Sequence, residues 1–256
     1  MKNLNPFVLI LVLSSLLTSC GSKKDIVYLQ NVGGYETMSD LEDYELRFKE
    51  GDILGIYVST LVPEASIPYN LVAASSQAGS SSAAQGVDYI IDSEGNIDFP
   101  VLGTVNVAGL TISEVKNLLK TKLVDGGHLK DPTINVRLKN FRVTVLGEVK
   151  NPGTFDVPGD RVSVLEAIGM AGDLSIKGRR DNVMIIRDIE GSKTYTRIDL
   201  TNKTFMKSRV FYLSQNDIVY VEPNKSAVSQ SVLDNRITIG ISILSLLITT
   251  TVVILN

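Results

Sequence analysis

Residues 141–157 read FRVTVLGEVKNPGTFDV, and the reading of this stretch decides the fold. Val143, Val145 and Val149 alternate with Thr144, Leu146 and Glu148, the period-two pattern of a strand whose faces meet different surroundings. Asn151-Pro152-Gly153 has the chemistry of a type II turn, with Pro152 fixing φ and Gly153 accepting a positive φ after the glycine at Gly147. Thr154–Val157 then returns as the second strand of a hairpin. Just beyond, Ser163-Val164-Leu165-Glu166 is a capping box, in which Ser163 caps a helix and Glu166 reaches back to it. Leu165 and Ile168 face inward, and Gly172 stops the helix. Strand candidates follow at Val183–Arg187, Tyr195–Leu200 and Ile218–Val221. A hairpin, one helix and more strands predict a small α+β unit of the β-grasp sort over residues 141–223.

Working outward, residues 46–140 predict a separate unit. Lys49-Glu50-Gly51-Asp52 reads as a turn into a strand, Ile53–Val58. This turn has an echo late in the chain: Phe48-x-x-Gly51-Asp52-Ile53 matches Leu213-x-x-Asn216-Asp217-Ile218, each placing a residue tolerant of left-handed backbone before an Asp. Residues 73–86, AASSQAGSSSAAQG, cannot bury a core and predict a mobile loop. Tyr89–Asp92, a turn at Ser93–Asn96 that uses Gly95, and Ile97–Pro100 suggest a hairpin. Thr111 and Glu114 form another capping box, and Ile112, Val115, Leu118, Leu119 and Leu123 make a helical stripe ending near Gly126-Gly127. His128 follows in a loop with no evident partner. Asp131-Pro132 opens a strand at Thr133–Leu138.

Both ends are apolar, for different reasons. Phe7–Leu17 after Lys2 has the length of a signal-peptide core and is too short for a comfortable membrane span. Leu17-Thr18-Ser19-Cys20-Gly21 resembles the bacterial lipobox, which predicts cleavage between Ser19 and Cys20, a signal over 1–19 and a diacylglycerol thioether on Cys20. An ordinary secretory signal is the rival reading, but the only cysteine stands where the motif requires it. Fatty chains there would tether a linker, 20–45, to membrane lipid. Gly21, in place of an Asp, leans toward the outer membrane. After a second linker, 224–236, the uncharged segment 237–255 is about 28 Å long as a helix, enough for a bilayer core. Thr238, Ser242, Ser245 and Thr249 fall on one helical face, suited to close helix packing or a wet lumen. Period-two alternation over residues 237–243 would suit a membrane strand, but it fails at Leu246-Leu247-Ile248. A simple tail anchor is the plainer alternative to a pore wall.

The inventory removes most chemistry. A net charge of −3 and a pI near 5.3 argue against nucleic-acid binding. One His and one Cys exclude a Cys/His zinc site, an internal disulfide and the usual nucleophile–base triads. There is no phosphate-binding glycine loop, so neither metal, cofactor nor enzyme activity is expected. Glu42-Asp43 reads as solvated charge rather than a glycosidase pair. Asn202-Lys203-Thr204 and Asn224-Lys225-Ser226 are chance sequons. Lys177 and Arg179-Arg180 have the charge to contact acidic sugars, although a solvated loop is the plainer reading.

With those residues in hand, VTVLGEVKNPGTFDV and VSVLEAIGMAGDLS resemble the SLBB domain, a soluble-ligand-binding β-grasp module. FKEGDILGIYV, DSEGNIDFPVLGTVNVAGLT and DPTINVRL resemble the polysaccharide export domain, carrying Gly51, Asp52, Gly95 and Pro100 at their turns. In this order behind a lipobox, over about residues 46–222, they resemble the outer-membrane polysaccharide export lipoproteins of capsule and exopolysaccharide systems. The resemblance departs in having a single SLBB unit and an Ala/Ser-rich insert after Leu71. It implies an α+β protein in three parts: an export domain, one SLBB β-grasp domain and a C-terminal transmembrane helix. It further implies a homo-oligomeric ring with its domains in the periplasm, a barrel of C-terminal helices, extracellular polysaccharide as cargo and an inner-membrane polysaccharide copolymerase (chain-length regulator) as partner. The rival reading is a monomeric tethered lipoprotein that binds a soluble glycan through the SLBB unit.

Overall fold

A computed structural model describes residues 26–37, 45–70, 87–189 and 191–232, with residues 239, 240, 242, 243, 245, 246, 249 and 250 beyond them. Strand β1 (Ile53–Ser59) starts where the Lys49–Asp52 turn delivers it. Gly51 takes φ 79°, and the buried Asp52 carboxylate accepts the Lys49 N–H at 3.0 Å. β1 is the centre of a three-stranded antiparallel sheet, between β2 (Val87–Ile90) and β5 (Thr133–Leu138). A short helix, α1 (Pro63–Ser66), follows β1. Helix α2 (Ile112–Asp125) has both arms of its predicted capping box, and it buries Val115, Leu119 and Leu123. The stripe was right because it repeats at the helical period and needs only one apolar surface to cover it.

The expected pairing of residues 89–92 with 97–100 is not found. The turn itself forms, with the Asp92 carboxylate accepting the N–H groups of Glu94 at 2.9 Å and Asn96 at 2.8 Å. Ile91, however, exchanges backbone hydrogen bonds with Gly51 and Asp52, at 3.0 and 2.9 Å, which commits β2 to β1. Strand β3 (Asn96–Phe99) therefore leaves that sheet and pairs with β4 (Gly103–Asn106), and Pro100 lies in the turn between them.

The second unit is built around a five-stranded sheet. Its strands are β6 (Arg142–Gly147), β7 (Gly153–Asp156), β9 (Gly178–Ile189), β10 (Ser192–Ile198) and β12 (Ile218–Pro223). The order is β10-β9-β12-β6-β7; β12 runs parallel to β6, and the other neighbours are antiparallel. A central parallel pair made of the first and last strands is the β-grasp arrangement expected from the sequence. Helix α3 (Val164–Met170) has its capping box and buries Val164, Ala167 and Ile168 toward β6 and β12. A two-residue ladder joins β8 (Val162–Ser163) to β11 (Tyr212–Leu213). Residues 225–232, read as part of a linker, form helix α4 (Lys225–Val232).

The type II turn with a positive φ at Gly153 needs correction. Gly153 opens β7 in extended backbone, opposite Val145. The positive φ falls earlier, at Gly147 (φ 90°). The six residues from Gly147 to Pro152 do not make a tight turn, because tertiary bonds pull them away: Lys150 N–H reaches Asp173 O at 3.1 Å and Asn151 N–H reaches Ala171 O at 2.9 Å. Turn chemistry read locally loses to the pairing of Val149 with Leu174. A Cβ on Gly147 would also lie 2.0 Å from Val221 O, so this site excludes every other residue twice over. Gly147→Ala should cost about 3 kcal/mol or more in denaturant unfolding, whereas Gly153→Ala should change stability by less than about 1 kcal/mol. Equal costs would mean that the strand register around Gly147 differs.

Candidate functional site

The residues nominated from the sequence do not converge on one centre. Ser19, Cys20, Glu42, Asp43, residues 73–86 and Thr238 lie outside the described residues. Ser242, Ser245 and Thr249 are helical and exposed, with Ile239, Ile243 and Leu246 exposed around them. Ser245 Oγ donates to Ser242 O at 2.9 Å, and Thr249 Oγ1 donates to Ser245 O at 2.8 Å. Hydroxyls bonded back to their own helix need no water, so this face tolerates lipid, another helix or a lumen. Among the described residues no helix is long and apolar enough to cross a membrane, and most of the predicted span lies outside them.

The turn motifs fall into two places. Gly95 and Pro100 shape the β3–β4 hairpin, while Gly147, Pro152, Gly153 and Gly172 surround the loop that leans on the end of α3. The Gly51-Asp52 turn and its echo meet at the seam between the two units. Asn216 takes φ 65° and the Asp217 carboxylate accepts Ser214 N–H at 2.7 Å, repeating the Gly51-Asp52 geometry. Lys49 Nζ donates across the seam to Gln215 O at 3.3 Å. The connecting residues are clamped from both sides. Asn140 accepts from Ile53 N–H at 3.0 Å and donates to Gly51 O at 3.1 Å, while Arg142 N–H donates to Gln215 Oε1 at 3.0 Å.

The two aspartates live in different fields. Asp217, 1 % exposed in its side chain, receives the Arg187 guanidinium as a fork, with Nη2–Oδ2 at 2.6 Å and Nε–Oδ1 at 3.1 Å. Asp52 has no such fork. Burial pushes its carboxyl above the ordinary range, and the Lys49 N–H and charge offset this only in part.

A feature with no sequence signal is the strap formed by residues 26–37, which lies against the β-grasp unit. Tyr28 OH donates to Asp173 Oδ1 at 2.5 Å, Leu29 N–H to Leu200 O at 3.0 Å, and Gln30 N–H to Thr201 O at 2.7 Å. Asn31 exchanges hydrogen bonds with Asn202 and Lys203, and Lys203 pairs with Glu36. Burial first, then Asp173, holds the Tyr28 phenol proton more tightly than usual. The two arginines read as solvated loop belong to β9. Arg180 is 5 % exposed and donates to Ser175 O at 2.8 Å and Gly178 O at 2.5 Å, with its guanidinium 5.8 Å from the Tyr28 ring. Arg179 pairs with Asp181 and Glu222, and Glu222 also receives Arg197 at 2.7 Å. These side chains are occupied in holding the sheet, which removes them as ready contacts for an acidic sugar. His128 is exposed, with its ring edge toward Tyr69, 6.4 Å between centroids. Among the described residues no cluster of His, Cys, Asp and Glu could hold a metal.

Comparison with known proteins bears on this two-unit arrangement. The profile of polysaccharide biosynthesis/export proteins matches residues 40–139, and that of the SLBB domain matches residues 142–198. The SLBB match stops short of β12, although β12 is the middle strand of the sheet. The chain is 29 % identical over 192 residues to the EPS I polysaccharide export outer membrane protein EpsA of Ralstonia solanacearum, covering 71 % of this chain and 48 % of that one. It is 32 % identical over 103 residues to the exopolysaccharide production protein ExoF of Rhizobium meliloti, covering 40 % and 23 %. The chain therefore spans about half the length of the EpsA protein it matches.

Two outcomes test the seam and the strap. A raised carboxyl pKa in the folded state means the charged form is disfavoured there, so Asp52 gives up stability as pH rises through that value. Asp52→Asn should therefore gain on the parent between about pH 3 and pH 7 in chemical unfolding, and a widening gap in the parent's favour would sink this account. For the strap, Tyr28→Ala should speed hydrogen exchange at the Leu29 and Gln30 amides by about tenfold, leaving the β6–β12 amides protected.

Proposed function

The chain belongs to the polysaccharide export family, and from that membership we propose that it is an outer-membrane lipoprotein whose copies assemble into a ring for passage of capsular or extracellular polysaccharide. The observation that carries this reading is the order of parts. An export domain and an SLBB domain lie between a lipobox cysteine, Cys20, and an uncharged segment with a hydroxyl stripe, 237–255. Either end alone would tether a soluble body; a lipidated protein has little need of a second anchor, which favours a wall-forming role for the segment.

The physics of the segment is compatible with that role. Ser245 and Thr249 satisfy their hydroxyls on their own helix, while Ile239, Ile243 and Leu246 offer apolar surface to neighbours or lipid. A single such helix encloses nothing, so a conduit requires several copies around an axis. The polymer would move through the ring driven by synthesis and by inner-membrane partners. An inner-membrane copolymerase would meet the export unit in the periplasm, where the exposed Leu61, Val62 and Ile67 supply apolar contact surface. Names of the relatives, which refer to polysaccharide export and the outer membrane, support the cargo and the location.

The test is the mass and shape of the intact lipidated chain, extracted in mild detergent and imaged beside a version ending at Asn235. A ring with a membrane-embedded cap, lost or loosened on truncation, is the expected outcome. A monodisperse monomer for both, across several detergents, would overturn the ring and leave a tethered glycan-binding lipoprotein.

A further inference from the structure

One short loop, Asp173–Gly178, receives both the strap, at Tyr28, and the residue that caps α4, Asn224. Asp173 receives the Tyr28 hydroxyl, and Ser175 O and Gly178 O receive the Arg180 guanidinium that faces the Tyr28 ring. From Tyr28 the strap runs away from this loop, toward Leu200, Thr201 and finally Lys203. Tyr28, eight residues after Cys20 in the sequence, is thus the strap's contact with this loop. On its other side, Asn224 N–H donates to Lys177 O at 2.7 Å and Asn224 Nδ2 donates to Ile176 O at 3.3 Å. Asn224 then caps α4, which ends five residues before position 237 in the sequence, through Ala227 N–H at 2.9 Å.

Several apolar side chains are exposed around this loop. Ile176 is 72 % exposed at the tip of the loop, next to Leu174, which is buried. Ile26 and Val27 are exposed where the strap begins, and Val228 is exposed one turn into α4. Lys177 follows Ile176, and Lys225 opens α4 beside Asn224, which bonds to Ile176 O and Lys177 O. The nearby acids are engaged within the fold: Asp173 by Tyr28 and by Leu174 N–H, and Glu148 by the Ser175 hydroxyl at 2.7 Å. Apolar side chains at a tip, flanked by lysines whose stems can lie along them, match the boundary between lipid headgroups and acyl chains.

We propose that this end of the β-grasp unit rests on a lipid surface, with Ile176 inserted at the headgroup level. The inference rests on the reading that Cys20 and the segment from 237 are membrane-attached, and goes beyond it by naming the face and the residues. Reach makes the two statements separable. Cys20 stands eight residues before Tyr28, at most roughly 29 Å of extended chain, so attachment allows contact without enforcing it.

The experiment uses the full lipidated chain with a single added cysteine, Ile176→Cys, carrying an environment-sensitive fluorophore. Val228→Cys is the second position, and Leu61→Cys, 99 % exposed on the export unit, is the control. The parent, whose only thiol is Cys20, should take no label once that thiol is lipidated. Each protein is reconstituted into phosphatidylethanolamine–phosphatidylglycerol vesicles, with and without lipid bearing a shallow nitroxide quencher. Vesicle flotation should carry all variants, and the quencher should cut emission at positions 176 and 228 by at least about twofold while leaving position 61 unchanged. Flotation with no quenching at 176 and 228 overturns the proposal and leaves attachment intact; a blue-shifted but unquenched probe would place that face against a second copy instead. Failure to float would overturn the attachment reading and this inference together.

Discussion

Strand β12 sits between β6 and β9, and its register governs most of what surrounds it. Pairing Val221 with Gly147 brings a carbonyl so close that only glycine fits, which fixes where the first strand must end. The same register sets Asp217 O against Thr144 N–H at 2.9 Å and Asn216 N–H against Arg142 O at 2.9 Å, so the turn before β12 lands on the start of β6. At its far end it delivers Asn224 to Lys177 O, and with it the start of α4. A parallel pair between the first and last strands of a unit is a contact of high sequence separation and costly in loop entropy. Seam, loop and C-terminal helix all inherit their positions from it.

The repeated turn shows how one local geometry is stabilised in two ways. In both copies an Asp accepts the N–H three residues back, and a left-handed residue precedes it. Asp217 is closed off from water and matched by a bidentate guanidinium, an arrangement in which removing one partner would strand a buried charge. Asp52 relies on backbone N–H and the more distant Lys49 ammonium, and its raised pKa records the remaining desolvation cost. The first copy is thus the weaker side of the seam, and Lys49 serves both by reaching across to Gln215.

Legibility followed range. The capping boxes at Thr111–Glu114 and Ser163–Glu166 close within four residues, and both were readable and present. Strands with strict alternation, such as Thr133–Leu138, were readable for the same reason. Pairing partners were not: residues 89–92 and 97–100 look like a hairpin locally, and only the bonds from Ile91 to Gly51 and Asp52 divert them. β9 begins five residues before the apolar Val183, in Gly-Arg-Arg-Asp-Asn, a run that β propensity places outside a strand. It becomes strand because Glu222 on β12 takes both Arg179 and the Asn182 amide, while Asp181 takes the other side of Arg179. The strap had no periodicity at all, since its bonds are made one residue at a time to a surface that exists only after the β-grasp unit folds. Of the candidate site, the two-domain order was in the sequence; the contacts that bring Tyr28 and Asn224 to one loop were not.

That loop and the clamped seam together carry a mechanical consequence. Asn140 ties the connector to β1, and Arg142 ties it to the turn before β12, leaving residues 139–142 little freedom to hinge. Lys139 N–H adds a bond to Ile53 O at 2.7 Å on the same side. A connector held by side chains from both units transmits orientation rather than absorbing it. Whatever surface the Asp173–Gly178 end settles on, the export unit is held at a fixed attitude to it. In the proposed ring, that fixed attitude would let identical export units meet identical neighbours, since a heterologous contact closes a ring only when the rotation between copies is constant.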